Sequence, residues 1–134
     1  MAQNMNPVVH FEMPAKDKAR MRKFYEQTFG WQTQLLGEEM GAYVLVTTTE
    51  ADATGRPKNP GAINGGFYQR TDDPVSQTTG IVVAVDNLEE SMRRAKAAGG
   101  ALHGEPQDIP GVGRFISVID TEGNRVSMLQ PTRP

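Results

Sequence analysis

The chain has 134 residues, a formal net charge of -2 and no cysteine. This length is enough for one domain with its own core. The absence of cysteine excludes disulfides, thiolate nucleophiles and Cys-type zinc sites. No Lys/Arg stripe marks a nucleic-acid or membrane surface, no apolar run approaches the roughly 20 residues of a membrane span, and the start lacks a signal-peptide pattern. We therefore predict a cytoplasmic protein that binds neither nucleic acid nor membrane.

The first half opens with the segment "VVHFEMPAKDKARMRKFYEQTFGW". Apolar and polar residues alternate from Val8 to Met13, which predicts a strand, and Pro14 is expected to end it. Asp17 suits a helix N-cap and Gly30 a C-terminal stop, so a helix is predicted near 17–29. Its expected apolar stripe consists of Met21, Phe24, Tyr25 and Thr28.

Three more strands are predicted in this half from "WQTQLLG", "GAYVLVTTT" and "GAINGGFYQR". The polar stretch "GEEMG" separates the first two as a turn, and residues 50–60 form a loop by composition. The last strand is weakened by its glycines. Trp31 directly follows the helix stop and is interpreted as a packing anchor rather than a stacking platform.

The second half repeats this layout about 70 residues later. In "GIVVAVDNLEESMRRAKAAGGA", Asn87 corresponds to Asp17 and begins a helix predicted near 88–98. The strands "ALHGEPQDI", "RFISVID" and "RVSMLQ" follow, with a tight turn at "DTEGN". Each half is therefore β-α-β-β-β. We predict a single α+β domain over 1–134, with module one at about 6–70 and module two at about 78–131.

The first strand has two chemically different faces. Phe11 and Met13 are expected to meet the helix, which places His10 and Glu12 on the opposite face. A sheet covered by helices on one side only is expected to curl around a ligand with its other face. His10 is one of only two histidines in the chain.

The sequence resembles the glyoxalase / bleomycin-resistance / extradiol-dioxygenase superfamily, also called the vicinal oxygen chelate proteins. The resemblance rests on "HFEMPAKDKARMRKFYEQTFGW", "VDNLEESMRRAKAAGG" and "VIDTEGNRVSMLQP", and it spans most of the chain. It implies two βαβββ modules that form a cupped sheet with helices outside. It also implies a small-molecule site in the cup, commonly with a divalent metal, and a homodimer.

The resemblance also implies a ligand set, of which this chain keeps little. The first metal ligand of the family falls on His10, but its counterpart in the second half falls on Gly80, which has no side chain. No Asp, Glu or His occurs between Ala53 and Thr71, and the last carboxylate position falls on Ser127. One of four ligands remains, whereas catalytic metal sites usually have three or more. We therefore predict no cofactor and no metal ligands.

Other interpretations of these residues remain open. A noncanonical metal site from His10, Glu12, His103 and Glu105 is conceivable. His10 is otherwise a structural histidine or a ligand-contacting donor or general base beside Glu12. The segment 110–114 is either a mobile lip or an ordinary loop. The candidate catalytic residues are His10 and Glu12, and the candidate ligand-binding residues are His10, Glu12, Phe67, Arg114 and Ser127.

Three functions are compatible with this pattern. The first is a glyoxalase-like protein that binds a small organic molecule without a complete metal site. The second is a metal-dependent lyase, of the lactoylglutathione-lyase type, or a dioxygenase with noncanonical ligands. The third is a drug-sequestering resistance protein with no catalytic group. Whether the protein is an enzyme, and which molecule it binds, cannot be decided from the sequence.

Overall fold

The computed structural model describes residues 5–132. Their contacts divide the chain into two units. The first module is His10–Thr79, and the second module consists of residues 80–132 together with residues 5–9. The strand β1 (Val8–Ala15) therefore begins in the second module, where the Ala84 N–H donates to the Pro7 carbonyl, and continues into the first.

The first module contains the elements that the sequence predicts. After β1 come the helix α1 (Lys18–Phe29) and the strands β2 (Gln32–Leu35), β3 (Val44–Thr47) and β4 (Asn64–Gln69). The strand order is β2-β3-β4-β1, with β1 and β4 parallel and the other pairs antiparallel. The "GEEMG" turn is a short 3-10 helix at Glu38–Met40, and a second one covers Pro74–Gln77.

The second module has the same order of elements and of strands. It consists of β5 (Gly80–Ala84), α2 (Leu88–Ala97), β6 (Ala101–Ile109), β7 (Gly113–Ile119) and β8 (Arg125–Pro131). The strand order is β5-β8-β7-β6, with β5 and β8 parallel. The prediction of two βαβββ modules in an α+β fold is confirmed.

Local capping explains where both helices begin and where α1 ends. The Asp17 side chain accepts a hydrogen bond from the Arg20 N–H, and Asn87 accepts one from the Glu90 N–H in the same way. Gly30 ends α1 with a left-handed backbone, φ 72°, a conformation in which glycine has no Cβ penalty. One boundary was predicted wrongly: β1 continues through Pro14 to Ala15, because Pro14 takes part in the parallel pairing with β4, opposite Tyr68.

Each helix covers one face of its own sheet. The core of the first module is rich in aromatic rings, whereas that of the second module is aliphatic. Phe24 of α1, which belongs to the expected apolar stripe, is 55% exposed. Trp31 stacks on Tyr25 with ring centroids 4.9 Å apart, as expected of a packing anchor. The first core contains Ala15, Val44, Val46 and Phe67 with Phe11, Met13, Met21, Tyr25 and Trp31, and the second contains Val85, Leu88, Ile116, Val118 and Met128 with Val83, Met92, Ala95, Leu102 and Val126.

Neither α-helix of the described chain combines the length and the apolar character that a membrane crossing requires.

Candidate functional site

His10 and Glu12 lie on the face of β1 that points away from α1. Their neighbours Phe11 and Met13 pack in the helix-facing core, and side chains alternate along a strand. Both His10 and Glu12 are half-buried. This arrangement agrees with the orientation expected from the sequence.

Tyr43 joins these two side chains. Its hydroxyl lies 3.1 Å from His10 Nε2 and donates to Glu12 Oε2, also at 3.1 Å. A phenol has one proton, so a hydroxyl that donates to Glu12 must accept from His10. Nε2 of His10 then carries the proton, and Nδ1 holds the lone pair of the neutral ring.

The electrostatics of His10 favour this neutral form. Burial away from water lowers the pKa of His10 below its ordinary value of 6.5, and the Glu12 carboxylate opposes that effect only in part. A neutral imidazole at neutral pH can accept a hydrogen bond or a proton. It is therefore chemically suited to act as a general base or an acceptor for a ligand.

The backbone around Tyr43 explains how the ring is positioned. Ala42 just before it has φ 52°, a left-handed conformation that is uncommon outside glycine. Three hydrogen bonds hold this segment: from Lys18 Nζ to the Ala42 carbonyl at 2.6 Å, from the Ala42 N–H to the Gly37 carbonyl, and from the Leu36 N–H to the Tyr43 carbonyl. Strained residues of this kind persist where the surrounding structure fixes them.

The glycines of β4 make room for two aromatic rings. A Cβ added at Gly65 would lie 2.5 Å from the Phe11 ring, on the side of the sheet that faces α1. A Cβ added at Gly66 would overlap the hydroxyl and ring carbons of Tyr43 on the opposite side. The glycines that were expected to weaken the strand "NGGFYQR" leave space for the rings of Phe11 and Tyr43, one on each face. The two adjacent glycines are the sequence signal that could have indicated a closely packed ring here, and so have identified Tyr43.

The other predicted site residues lie in different surroundings. Phe67 is fully buried in the helix-facing core of the first module. Arg114 lines a pocket of about 400 Å³ beside the β6–β7 turn, and its guanidinium pairs with Glu89 at 2.7 Å and with Asp108 at 3.2 Å. Ser127 is fully buried in β8 of the second module.

In the second module, a cation lies beside Gly80 and Ser127, the two residues on which the resemblance places metal-ligand positions. Arg125, which is 9% exposed, donates from Nη1 to Ser127 Oγ at 3.2 Å. Its guanidinium also lies against Gly80, where an added Cβ would be 2.7 Å from Nη2. A positive group at both positions does not fit a divalent metal ion, because like charges repel strongly where water is excluded.

Residues 5–132 contain no group of three or more His, Cys, Asp or Glu side chains placed to hold a metal ion. His103 and Glu105 lie at a register irregularity of β6, between His103 and Gln107, where Gly104 has φ 75°.

Comparison with solved structures shows the fold. Methylmalonyl-CoA epimerase of Streptomyces coelicolor is 13% identical, with a TM-score of 0.67 and 97% of both chains covered. The hypothetical protein BH1468 of Bacillus halodurans is 11% identical, with a TM-score of 0.68 and 98% of both chains covered. At such low identity these likenesses concern the fold alone.

Among curated proteins, the chain matches one named "Putative glyoxylase CFP32", from Mycobacterium tuberculosis and from Mycobacterium bovis. The match is 43% identical over 51 residues, which is 38% of this chain and 20% of the relative. The matched part is thus one fifth of the length of those relatives. A family model matches residues 8–128, which include both modules. The chain belongs to the Glyoxalase/Bleomycin resistance protein/Dioxygenase superfamily.

Proposed function

We propose that this protein binds a small organic molecule on the helix-free face of the first module, by direct contact with His10 and Tyr43 rather than through a metal ion. The observation that carries the proposal is the hydrogen-bonded chain His10–Tyr43–Glu12. It presents an acceptor nitrogen, a hydroxyl and a carboxylate on one half-buried surface. Binding sites typically combine a few such polar groups with apolar walls.

The chain of hydrogen bonds favours a defined role for each residue. Glu12 accepts the Tyr43 proton and so fixes the direction in which the hydroxyl points. Tyr43 in turn fixes the tautomer of His10, so that Nδ1 is the atom that accepts from the ligand. If the protein is an enzyme, Nδ1 of His10 is its base, and Tyr43 and Glu12 are positioning residues.

The metal-dependent lyase or dioxygenase is less well supported. In the second module the Arg125 guanidinium contacts Gly80 and Ser127, on which the resemblance places two of the four ligands, and its positive charge argues against a catalytic ion beside them. A drug-sequestering protein would use the same surface without a base. Measurements of ligand binding and of turnover in His10 variants distinguish a drug-sequestering protein from an enzyme that uses His10 as its base.

The test is an NMR titration of the labelled protein with a fragment library of small carbonyl and carboxylic compounds. We expect hits that shift resonances of β1 and β3, and we expect His10→Gln and Tyr43→Phe to weaken them about tenfold, as for the loss of a hydrogen bond in a binding site. Tyr68→Phe, which removes a hydroxyl that donates to the Thr78 carbonyl, is the matched control. Hits on β1 and β3 that bind both variants as tightly as wild type would refute the proposal, and so would a stoichiometric metal that is lost in His10→Gln.

A further inference from the structure

The second module contains a line of polar side chains that starts at a buried guanidinium. Arg125 Nη1 lies 3.2 Å from Ser127 Oγ, and Ser127 Oγ lies 3.0 Å from Ser117 Oγ. Arg125 is 9% exposed and Ser127 is fully buried, whereas Ser117 is half-buried. All three point away from α2, because their neighbours Ile116, Val118, Val126 and Met128 form the helix-facing core.

The direction of these hydrogen bonds follows from chemistry. A guanidinium has only donors, so Ser127 must accept from Arg125. Ser127 is fully buried and keeps one proton to donate, and Ser117 Oγ, 3.0 Å away, is within reach to accept it. When Ser117 accepts that bond, its own proton is left for another acceptor. The positive charge of Arg125 polarises each hydroxyl in the same sense, which makes Ser117 a stronger donor.

Ser117 lies at an open pocket. Ser117 lines a cavity of about 210 Å³, together with His103, Gly104, Glu105, Gln107, Phe115 and Ile116. The opening lies beside the β6 irregularity. Glu105 is a negative group at this pocket, but it is exposed, so water and salt screen its charge. The buried guanidinium is screened much less.

The position of Arg125 is also informative. The Arg125 guanidinium contacts both Gly80 and Ser127, on which the resemblance places the metal-ligand positions of this half. Gly80 has no Cβ, and one added there would lie 2.7 Å from Nη2. The space beside both residues is thus filled by the guanidinium of Arg125, which carries a permanent positive charge.

We propose that the pocket of the second module binds an oxyanion, a carboxylate or a phosphate group, which accepts the Ser117 hydroxyl proton and is attracted by the Arg125 guanidinium. The fixed charge of Arg125 takes the electrostatic part that a metal ion plays elsewhere. This inference rests on the second module alone and is independent of His10 and Tyr43.

The test is calorimetric titration at low ionic strength with two probes, inorganic phosphate and malonate. Wild type is expected to bind at least one of them at millimolar concentration, and the tighter probe identifies the phosphate or the carboxylate class. Arg125→Met and Ser117→Ala should each weaken that binding about tenfold, as expected for hydrogen bonds to charged groups. Arg93→Met, which removes an exposed arginine of α2, is the control for net charge and should bind as wild type does.

Folding is monitored separately, since Arg125 is buried. If Arg125→Met does not fold, Ser117→Ala decides, because Ser117 is only half-buried. Gly80→Ala adds a third test: its methyl group must displace the guanidinium and so weaken binding while the charge is kept. Three outcomes would each overturn the inference: wild type that binds neither probe, Arg125→Met and Ser117→Ala variants that bind as wild type does, or stoichiometric zinc on the wild-type protein.

Discussion

His10 illustrates how one side chain can make stability depend on pH. Burial lowers the pKa of His10 in the folded state, so the folded protein favours the neutral ring more than the unfolded chain does. Its contribution is complete above the unfolded pKa of about 6.5 and is lost as pH falls below that value towards the folded pKa. Acid therefore favours unfolding through this group.

We predict that replacing His10 by Gln flattens this dependence. Urea unfolding at pH 7.5 and at pH 5 should show a smaller loss of free energy in His10→Gln than in wild type, because the variant has no ring to protonate. The same comparison in His103→Gln controls for the loss of a histidine as such. An unchanged pH dependence in His10→Gln would show that carboxylates alone produce it.

A second prediction at this scale concerns the Tyr43 hydroxyl. It accepts from Nε2 of His10 while it donates to Glu12, and this fixes the tautomer of the neutral ring. Nitrogen-15 shifts of the imidazole should report the Nε2–H form in wild type and a loss of that preference in Tyr43→Phe. Tyr68→Phe removes a different hydroxyl, which donates to the Thr78 carbonyl, and should keep the wild-type tautomer. An Nδ1–H form in wild type would contradict the chain as described.

At the scale of elements, β4 is built around its two glycines. Gly66→Ala would push a methyl group into the Tyr43 ring, and overpacking of this kind typically costs about 1–3 kcal/mol. We predict that Tyr43→Ala relieves most of that cost when the two changes are combined, since the colliding atoms are then absent. Chemical denaturation of both single variants and the double variant measures the coupling. Additive losses would show that Gly66 is needed for its backbone rather than for the Tyr43 ring.

The helices and strands follow from local chemistry, which is why the sequence predicts them. Asp17 and Asn87 cap the helices, and alternation along β1 places His10 opposite Phe11. Pro14 was misjudged because a strand tolerates proline where its missing N–H is not needed.

The missed site residues depend on register between distant strands. Tyr43 reaches His10 only because β3 and β1 flank the same strand, β4, and Arg125 reaches Gly80 only because β8 pairs with β5. A single sequence carries no direct signal for such registers. The paired glycines at 65 and 66 were the nearest indication, because they imply close approach by other groups.

At the scale of the whole molecule, the two modules share topology but differ in chemistry. A shift of 70 residues superimposes their caps, Asp17 on Asn87, yet one core is aromatic and the other aliphatic. The helix-free face of the first module carries His10 with Tyr43 and Glu12, whereas that of the second module carries the buried guanidinium of Arg125 with Ser127. The duplicated frame therefore carries two distinct polar surfaces.

The last prediction concerns assembly. Phe24 and Phe29 of α1 are 55% and 60% exposed, and Leu35 of the short strand β2 is 50% exposed. Apolar side chains this close along the chain favour a partner surface, and β2 is a terminal strand of its module's sheet. We predict a homodimer that buries this region. Light scattering should give a dimer mass at tens of micromolar, and Phe24→Ser/Phe29→Ser should give a monomer. Ile81→Ser/Val112→Ser, which changes exposed apolar residues of the second module, should remain dimeric. A wild-type monomer at that concentration would contradict the prediction, and a dimer unaffected by the α1 changes would place the interface elsewhere.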